Sequence, residues 1–354
     1  MGAAHDGGGM TPQSPDFRLN RPGVLIAALP AVLGFVPEKS LVLVTVDRGE
    51  MGCVMRVDLS DELTGSVEHL ADVAATAEPD SAIAVVVDDE GASCRMCNDE
   101  YRRLAASLSQ TLAERGIELL AAHVVDRVAA GGRWHCADGC GHAGTVDDPS
   151  ASPMAVAAVL DGRRLYARRA ELQQVIAVAD PDRSAALAAA IGNLDAERSD
   201  ADARRDVETV IAAAARVADG RPLSDDAATQ VACALTDPLV RDTLYALAVG
   251  EHSGQAESLW AELSRTLPEP WRMEALVLLA FSAYARGDGP LAGVSLDAAL
   301  RCDATHRMAG MLDTALQSGM RPEQIRQLAT TGYRLADRLG VELPPMRAFG
   351  RRAG

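Results

Sequence analysis

Two closely spaced cysteine pairs in the first half of the chain are typical of ligands to a metal ion. Two residues separate Cys94 from Cys97, and three separate Cys136 from Cys140. A short spacing lets two thiolates face the same ion, and two such pairs suit tetrahedral zinc. The sequence therefore predicts a zinc site built from these four cysteines. Alternate ligands flank the second pair: His135 and His142.

Two other interpretations of the cysteines stay open. The chain holds 7 cysteines, an odd and unevenly spread set that does not suit a secreted disulfide framework. Free thiols in a reducing cytoplasm are the first alternative. The second is a redox pair at Cys94 and Cys97, because the helix predicted to begin just after Cys97 would lower the pKa of a thiol at its N-terminus.

Acidic residues follow a predicted central strand. Asp88, Asp89 and Glu90 come directly after the apolar run 82–87, and His123 lies in the next predicted strand. Ligand sites in α/β folds commonly lie at the carboxyl ends of strands. These residues are therefore candidates for a magnesium or acid–base site. The alternative is that the acids are simply solvated and that His123 packs within its strand.

The elements that position these residues predict an α/β domain. The predicted strands are 40–46, 53–58, 82–87, 117–125 and 133–135. A helix between the third and fourth strands carries Leu104, Leu108 and Leu112 on one stripe. Near-continuous apolar strands around an amphipathic helix are typical of a parallel βαβ unit. We therefore expect a mixed, mostly parallel sheet.

From Pro153 onward the strand signals end, and the pattern predicts an all-helical domain. Over residues 237–320 the helices form hairpins, with small residues such as Ala280, Ala292 and Ala299 where two helices approach closely. The pair 273–286 and 291–302 repeats the layout of 243–249 and 255–267. This arrangement resembles a degenerate tetratricopeptide repeat, a module that commonly binds proteins or peptides.

The predicted order is a disordered tail, an α/β domain, a helical domain and a flexible tail. Their bounds are 1–17, 18–150, 151–340 and 341–354.

Composition excludes several classes of partner. The net charge of −16 argues against binding to nucleic acid or to anionic lipid, both of which need a basic surface. The apolar run 24–36 is too short to span a bilayer and contains Pro30. We therefore expect a cytoplasmic protein without a membrane or nucleic-acid partner.

Several stretches together resemble a known family. They are 25–34 leading into Phe35, Pro37 and Ser40; Trp134 followed by Cys136 and Cys140; and 285–289 with Leu291 and Ala292. In this order they are similar to the actinobacterial domain-of-unknown-function family 4192. The resemblance implies that Cys136 and Cys140 belong to the family pattern and that Cys94 and Cys97 do not. It implies an architecture and a lineage, but no activity.

The sequence favours a protein-interaction or scaffold module acting through its C-terminal helices. It contains no phosphate-binding glycine loop and no nucleophile elbow. The alternative is an enzyme or a small-ligand-binding protein with a site at the strand ends, zinc-dependent if the cysteines hold the ion.

Overall fold

The structure, a computed structural model, describes residues 21–59, 63–160, 163–194 and 203–347. The tail predicted over 1–17 and the last part of the predicted C-terminal tail, 348–354, lie outside these residues. Two compact units are present. The first comprises residues up to Val32, Glu38–Thr64 and Pro79–Leu160, and the second Leu33–Pro37, Gly65–Glu78 and the chain from Asp161. The domain bounds given above stay a prediction.

Six strands form one sheet in the described part of the first unit, in the order β2-β1-β3-β4-β5-β6. The strands are β1 (Ser40–Asp47), β2 (Glu50–Asp58), β3 (Ser81–Val87), β4 (Glu118–Val125), β5 (Arg133–Cys136) and β6 (Ala143–Thr145). A mixed sheet was predicted, and this is confirmed. The expectation that it is mostly parallel is wrong, since only β3 and β4 pair in parallel and the other described pairings are antiparallel.

The error has a physical cause in the burial of β1 and β3. β3 is buried along its whole length, and β1 is buried at every position except Asp47. A strand covered on both faces becomes a continuous apolar run whether its neighbour is parallel or antiparallel. β1 lies between β2 and β3 and is antiparallel to both, which the apolar pattern alone does not reveal.

The predicted βαβ unit is present as β3, the helix α3 (Arg95–Ala113) and β4, and its strands are parallel. Leu108 and Leu112 are buried on the stripe of α3 that the sequence indicates. Gly116 follows with φ 78°, a left-handed conformation that ends helices readily. The strand predicted over 133–135 is also present as β5, which pairs with β4 in the antiparallel direction. Two further helices lie in this unit: α1 (Pro22–Leu33, up to Val32) and α4 (Pro153–Leu160).

The second unit is helical over the residues that the structure describes. Its helices are α2 (Leu63–Ala75, from Gly65 onward), α5 (Arg169–Gln174), α6 (Pro181–Leu194), α7 (Ala203–Ala218), α8 (Asp225–Thr236), α9 (Pro238–Leu244), α10 (Ser253–Thr266), α11 (Trp271–Arg286), α12 (Gly289–Cys302), α13 (Arg307–Gln317) and α14 (Pro322–Leu339). No helix within the described ranges is long and apolar enough to cross a membrane.

α11 is the central helix of the second unit. Every residue from Ala275 to Ala285 is buried, and α8, α10, α12, α13 and α14 pack around it. A helix that is apolar on all sides is stable only when neighbours cover every side. α11 and α12 form one predicted hairpin, where Gly287 has φ 88° and the Asp288 side chain accepts a hydrogen bond from the Leu291 N–H at 3.1 Å. The first helix predicted for the earlier hairpin, 243–249, is mostly a 3₁₀ helix over Tyr245–Val249 that continues α9.

The packing of α14 against α9 and the 3₁₀ helix after it requires a glycine. A Cβ on Gly332 would lie 2.6 Å from the Thr243 carbonyl oxygen and 2.9 Å from the Ala246 Cβ. By contrast, Gly310 on α13 has nothing within 4 Å of a Cβ at that position.

We expect Gly332→Ala to lower the free energy of unfolding by about 1–3 kcal/mol, because the added methyl overpacks this contact. The matched substitution Gly310→Ala should raise it by about 0.5–1 kcal/mol, since alanine favours a helix and this site has room. Urea denaturation of both variants and the parent chain measures the two changes. Equal effects of the two substitutions would contradict the assigned packing.

Candidate metal centre

Three predicted ligands lie together at the end of β5. The ligand atoms of Cys136, Cys140 and His142 all lie within 4.8 Å of one another. The Cys140 Sγ is 3.5 Å from the His142 Nδ1. In the part of the chain that the structure describes, no other group of three cysteine, histidine or acidic residues meets this condition.

The turn between β5 and β6 brings these residues together. The Cys136 N–H donates to the His142 carbonyl at 3.0 Å, which closes the turn. Within it, Gly139 and Gly141 have φ 78° and 87°, a left-handed conformation that glycine adopts without strain. The Cys140 N–H donates to the Asp138 carboxylate at 2.9 Å. The chain between Cys136 and Cys140 therefore folds back on itself, so that the two thiols lie close together.

His123 lies beside Cys136 but outside the group whose ligand atoms are all within 4.8 Å of one another. It lies directly across from Cys136 in the register of β4 and β5, and its Nδ1 is 3.8 Å from the Cys136 Sγ. A tetrahedral zinc site has sulfur–nitrogen separations of about 3.5 Å and sulfur–sulfur separations of about 3.8 Å, given Zn–S and Zn–N bonds of about 2.3 and 2.0 Å. The two measured sulfur–nitrogen distances agree with such a site.

Burial sets the protonation of His123 and Cys136. Burial lowers the pKa of His123 to about 4, so its imidazole is neutral at pH 7, which is the form that binds metals. Burial and, after it, the Cys140 thiol raise the pKa of Cys136 to about 11. Such a thiol keeps its proton at neutral pH unless a cation lies beside it, and a metal ion supplies that cation. The Trp134 ring meets the His123 ring edge to face, with 5.2 Å between centroids.

His135, an alternate ligand in the sequence prediction, is not part of this group. Successive side chains of a strand point to opposite faces, so His135 and Cys136 lie on different sides of β5. The His135 Nε2 is 2.8 Å from the Asn98 side-chain oxygen on α3, which ties β5 to that helix.

The structure does not bring the four cysteines together, in contrast to the prediction. Cys94 is the N-cap of α3, where its Sγ accepts a hydrogen bond from the Cys97 N–H at 3.4 Å. α3 contacts the face of β5 that carries His135, whereas Cys136 points to the other face. The pleat of the sheet therefore separates the two cysteine pairs, and His142 joins Cys136 and Cys140 instead.

The acidic candidates form a separate cluster around Lys39, the only lysine of the chain. Its ammonium lies 3.2 Å from Asp88, 3.9 Å from Asp89 and 2.9 Å from Glu90. Asp88 is buried and also accepts a hydrogen bond from the Tyr101 hydroxyl at 2.5 Å. Each carboxylate of this cluster thus faces a cation. His123 is not among the contacts of the cluster.

Asp88 is the residue on which the cluster depends. Burial alone would raise the pKa of its carboxyl, but hydrogen bonds from Tyr101 and the Gly91 N–H and the Lys39 ammonium together lower it. The hydrogen bonds that the Lys39 ammonium donates to Glu90 and Asp88 raise the pKa of Lys39 in turn. Asp88 is therefore ionised at neutral pH and is held by its partners.

Comparison with known proteins identifies the family. A family model described as a domain of unknown function, DUF4192, matches residues 22–323. The chain belongs to the DUF4192 family. This confirms the resemblance seen in the sequence, and the matched range includes the whole Cys136, Cys140 and His142 group of this DUF4192 member. A search found no match for the chain among curated proteins or among solved structures.

We expect Asp88→Asn to lower the free energy of unfolding of the first unit by about 1–3 kcal/mol at pH 7, because charge-assisted hydrogen bonds are lost. The folded-state pKa of Asp88 lies below its unfolded value, which is about 3.9. The stabilisation is therefore present above pH 4 and disappears as the pH falls through the folded-state value. The difference between the variant and the parent chain should shrink accordingly.

Urea titrations at several pH values measure this difference. A short pulse of hydrogen exchange at one fixed pH labels the unfolded molecules, and mass spectrometry of the peptides that contain β3 and β4 gives the unfolded fraction of the first unit. Asp89→Asn is the matched control, because the Asp89 side chain is 72% exposed. Its effect should stay below about 0.5 kcal/mol. A pH-independent effect of Asp88→Asn, or equal effects of both variants, would contradict the assignment.

Proposed function

We propose that this chain binds one zinc ion through Cys136, Cys140 and His142, and that His123 takes the fourth position. The observation that carries the proposal is the convergence of the first three ligand atoms within 4.8 Å. Two thiolates and two imidazoles form a common tetrahedral zinc shell. The distances from Cys136 to His123 and from Cys140 to His142 support this ion over one that prefers six oxygens.

The proposed role of the zinc is structural. β6 has only three residues, and β5 has four, so few backbone hydrogen bonds hold this edge of the sheet. An ion bound by His123 on β4, Cys136 on β5 and the turn beyond it would join three segments. A closed shell of four protein ligands leaves no position for a substrate, as is typical of structural zinc.

We further propose that the chain is a cytoplasmic protein-interaction module and that its C-terminal helices bind a protein or peptide partner. The packed helix pairs α10–α11 and α11–α12 support a tetratricopeptide-like arrangement. Large apolar side chains stay exposed on the helices that follow: Met311 at 57% and Leu328 at 41%. In the cytoplasm thiols persist, and no disulfide joins the cysteines that the structure describes.

A zinc-dependent enzyme is the second candidate. It is favoured by the number of ligands whose atoms lie within 4.8 Å, because three protein ligands and a water are the usual shell of catalytic zinc. In this alternative His123 would be a neutral neighbour able to act as a proton acceptor, and zinc held by the other three residues would supply the activation of water. The role of His123 therefore separates the two candidates.

We expect untagged protein purified without chelator to contain one zinc per chain by mass spectrometry. Cys140→Ser and His142→Ala should each weaken zinc binding by at least about 100-fold. Loss of a residue that only hydrogen-bonds to a metal ligand already lowers metal affinity by about 10- to 100-fold, and loss of a ligand should cost more. Cys94→Ser is the matched control and should retain the ion. Absence of zinc in the parent protein, or its loss in Cys94→Ser alone, would contradict the site.

His123→Ala distinguishes the structural from the catalytic ion. If His123 is a ligand, cobalt bound in place of zinc should change its visible absorption spectrum in this variant, because one nitrogen donor is lost. An unchanged cobalt spectrum would leave three protein ligands and favour the enzyme.

The interaction module is tested with a photo-crosslinker placed beside Met311 in the full chain. In extract of the native host, an actinobacterium by our proposal, we expect one protein to be crosslinked reproducibly. Met311→Glu together with Leu328→Glu should reduce this product at least about tenfold, because burial of a charge at an interface is costly. Val159→Glu is the matched control, since Val159 is 63% exposed on α4. An equal loss in the control would contradict a site on the C-terminal helices.

A further inference from the structure

The cysteine pair that the zinc site does not use lies in a setting suited to thiol chemistry. Cys94 and Cys97 are free and half-buried, and Met96 between them is 71% exposed. Both thiols therefore lie at a surface that a dissolved reagent reaches. Among the described residues they belong to no group of three potential metal ligands.

The two sulfurs have different environments at the start of α3. Cys94 is the N-cap of this 19-residue helix, and its Sγ accepts the Cys97 N–H at 3.4 Å. A hydrogen bond thus joins the two cysteines, and the positive end of the helix dipole lies beside Cys94.

Negative charges near the start of α3 raise the pKa of the Cys97 thiol. Tyr101 stands one turn after Cys97 on the same face of α3, and its hydroxyl holds the buried Asp88. The pKa of Cys97 is raised by its hydrogen bond to Cys94, by burial, and by the negative charges of Cys94, Glu100 and Asp88. The hydrogen bonds from the Cys97 thiol, the Cys97 N–H and the Met96 N–H lower the pKa of Cys94. The N-cap position and the hydrogen bond from the Cys97 N–H therefore favour Cys94 as the nucleophile of the pair.

We propose that Cys94 and Cys97 form a redox-active dithiol that exchanges with a low-molecular-weight disulfide. The Cys94 thiolate attacks one sulfur of the substrate disulfide, which forms a mixed disulfide and releases one substrate thiolate. Cys97 then loses its proton to water and attacks the Cys94 sulfur, which releases the second substrate thiolate. The protein pair is oxidised by two electrons and the substrate disulfide is reduced by two.

This activity is independent of the proposed zinc site, whose ligands are other residues. It also differs from a merely exposed cysteine, because the residue that hydrogen-bonds the attacking sulfur through its N–H also carries a second thiol. Cys302 provides the comparison within the same chain. It is half-buried like Cys94, but its thiol donates to the Glu269 carboxylate at 3.2 Å, and burial followed by this hydrogen bond raises its pKa to about 11.

The test uses the full chain as purified, in its reduced form, with oxidised glutathione as the disulfide. Samples are quenched by alkylation at successive times, and each cysteine is followed by peptide mass spectrometry. We expect an internal disulfide between Cys94 and Cys97, and initial attack by Cys94 at least about tenfold faster than by Cys302. In Cys97→Ser the mixed disulfide on Cys94 should accumulate, whereas Cys302→Ser should behave as the parent chain.

Two results would overturn the proposal. One is a Cys94 that reacts no faster than Cys302. The other is a mixed disulfide on Cys94 that persists in the parent chain although Cys97 is present. Circular dichroism of Cys97→Ser confirms that the variant is folded before its kinetics are compared. Because each site is mapped separately, zinc release at Cys136 and Cys140 is not mistaken for this reaction.

Discussion

The parallel pairing of β3 with β4 is the interaction on which the first unit depends. Parallel strands cannot be joined by a tight turn, so the chain must cross over between them, and α3 is that crossover. The start of α3 is thereby fixed just beyond the end of β3. The pairing continues past the strand, where the Asp88 N–H donates to the Val125 carbonyl at 3.0 Å. Asp88 is thus held beneath the helix that carries Cys94 and Cys97.

The alternation of side chains along β5 determines which residues act together. His135 faces α3, whereas Trp134 and Cys136 face the opposite side with His123. One short strand therefore contributes to two different environments. The thiol of Cys136 and the imidazole of His123 lie on one face of the sheet. The start of α3, with the acidic residues near it, lies toward the other face. Two cysteine pairs that look equivalent in the sequence consequently have different surroundings.

Local patterns predicted much of this arrangement. The β3–α3–β4 unit follows from two apolar runs and a leucine stripe, and the joining of Cys136 with Cys140 follows from their spacing. The place of His123 could also be predicted. If Val125 pairs with Trp134 across the turn between β4 and β5, then His123, two residues earlier, pairs with Cys136, two residues later. The direction of β1 could not be predicted, since burial on both faces leaves no trace of direction. The approach of Lys39 to the acids after β3 was missed as well, because it depends on the pairing of distant strands.

Lys39 has one more consequence for the chemistry of this protein. Since it is the only lysine, it is the only side-chain amine of the chain, and it lies where three carboxylates converge. An acetyl group on that nitrogen would remove the one lysine charge of the molecule and leave the carboxylates facing one another. Any reaction with a side-chain amine, whether enzymatic or with a laboratory reagent, can therefore modify one residue only, Lys39 at the end of the sheet.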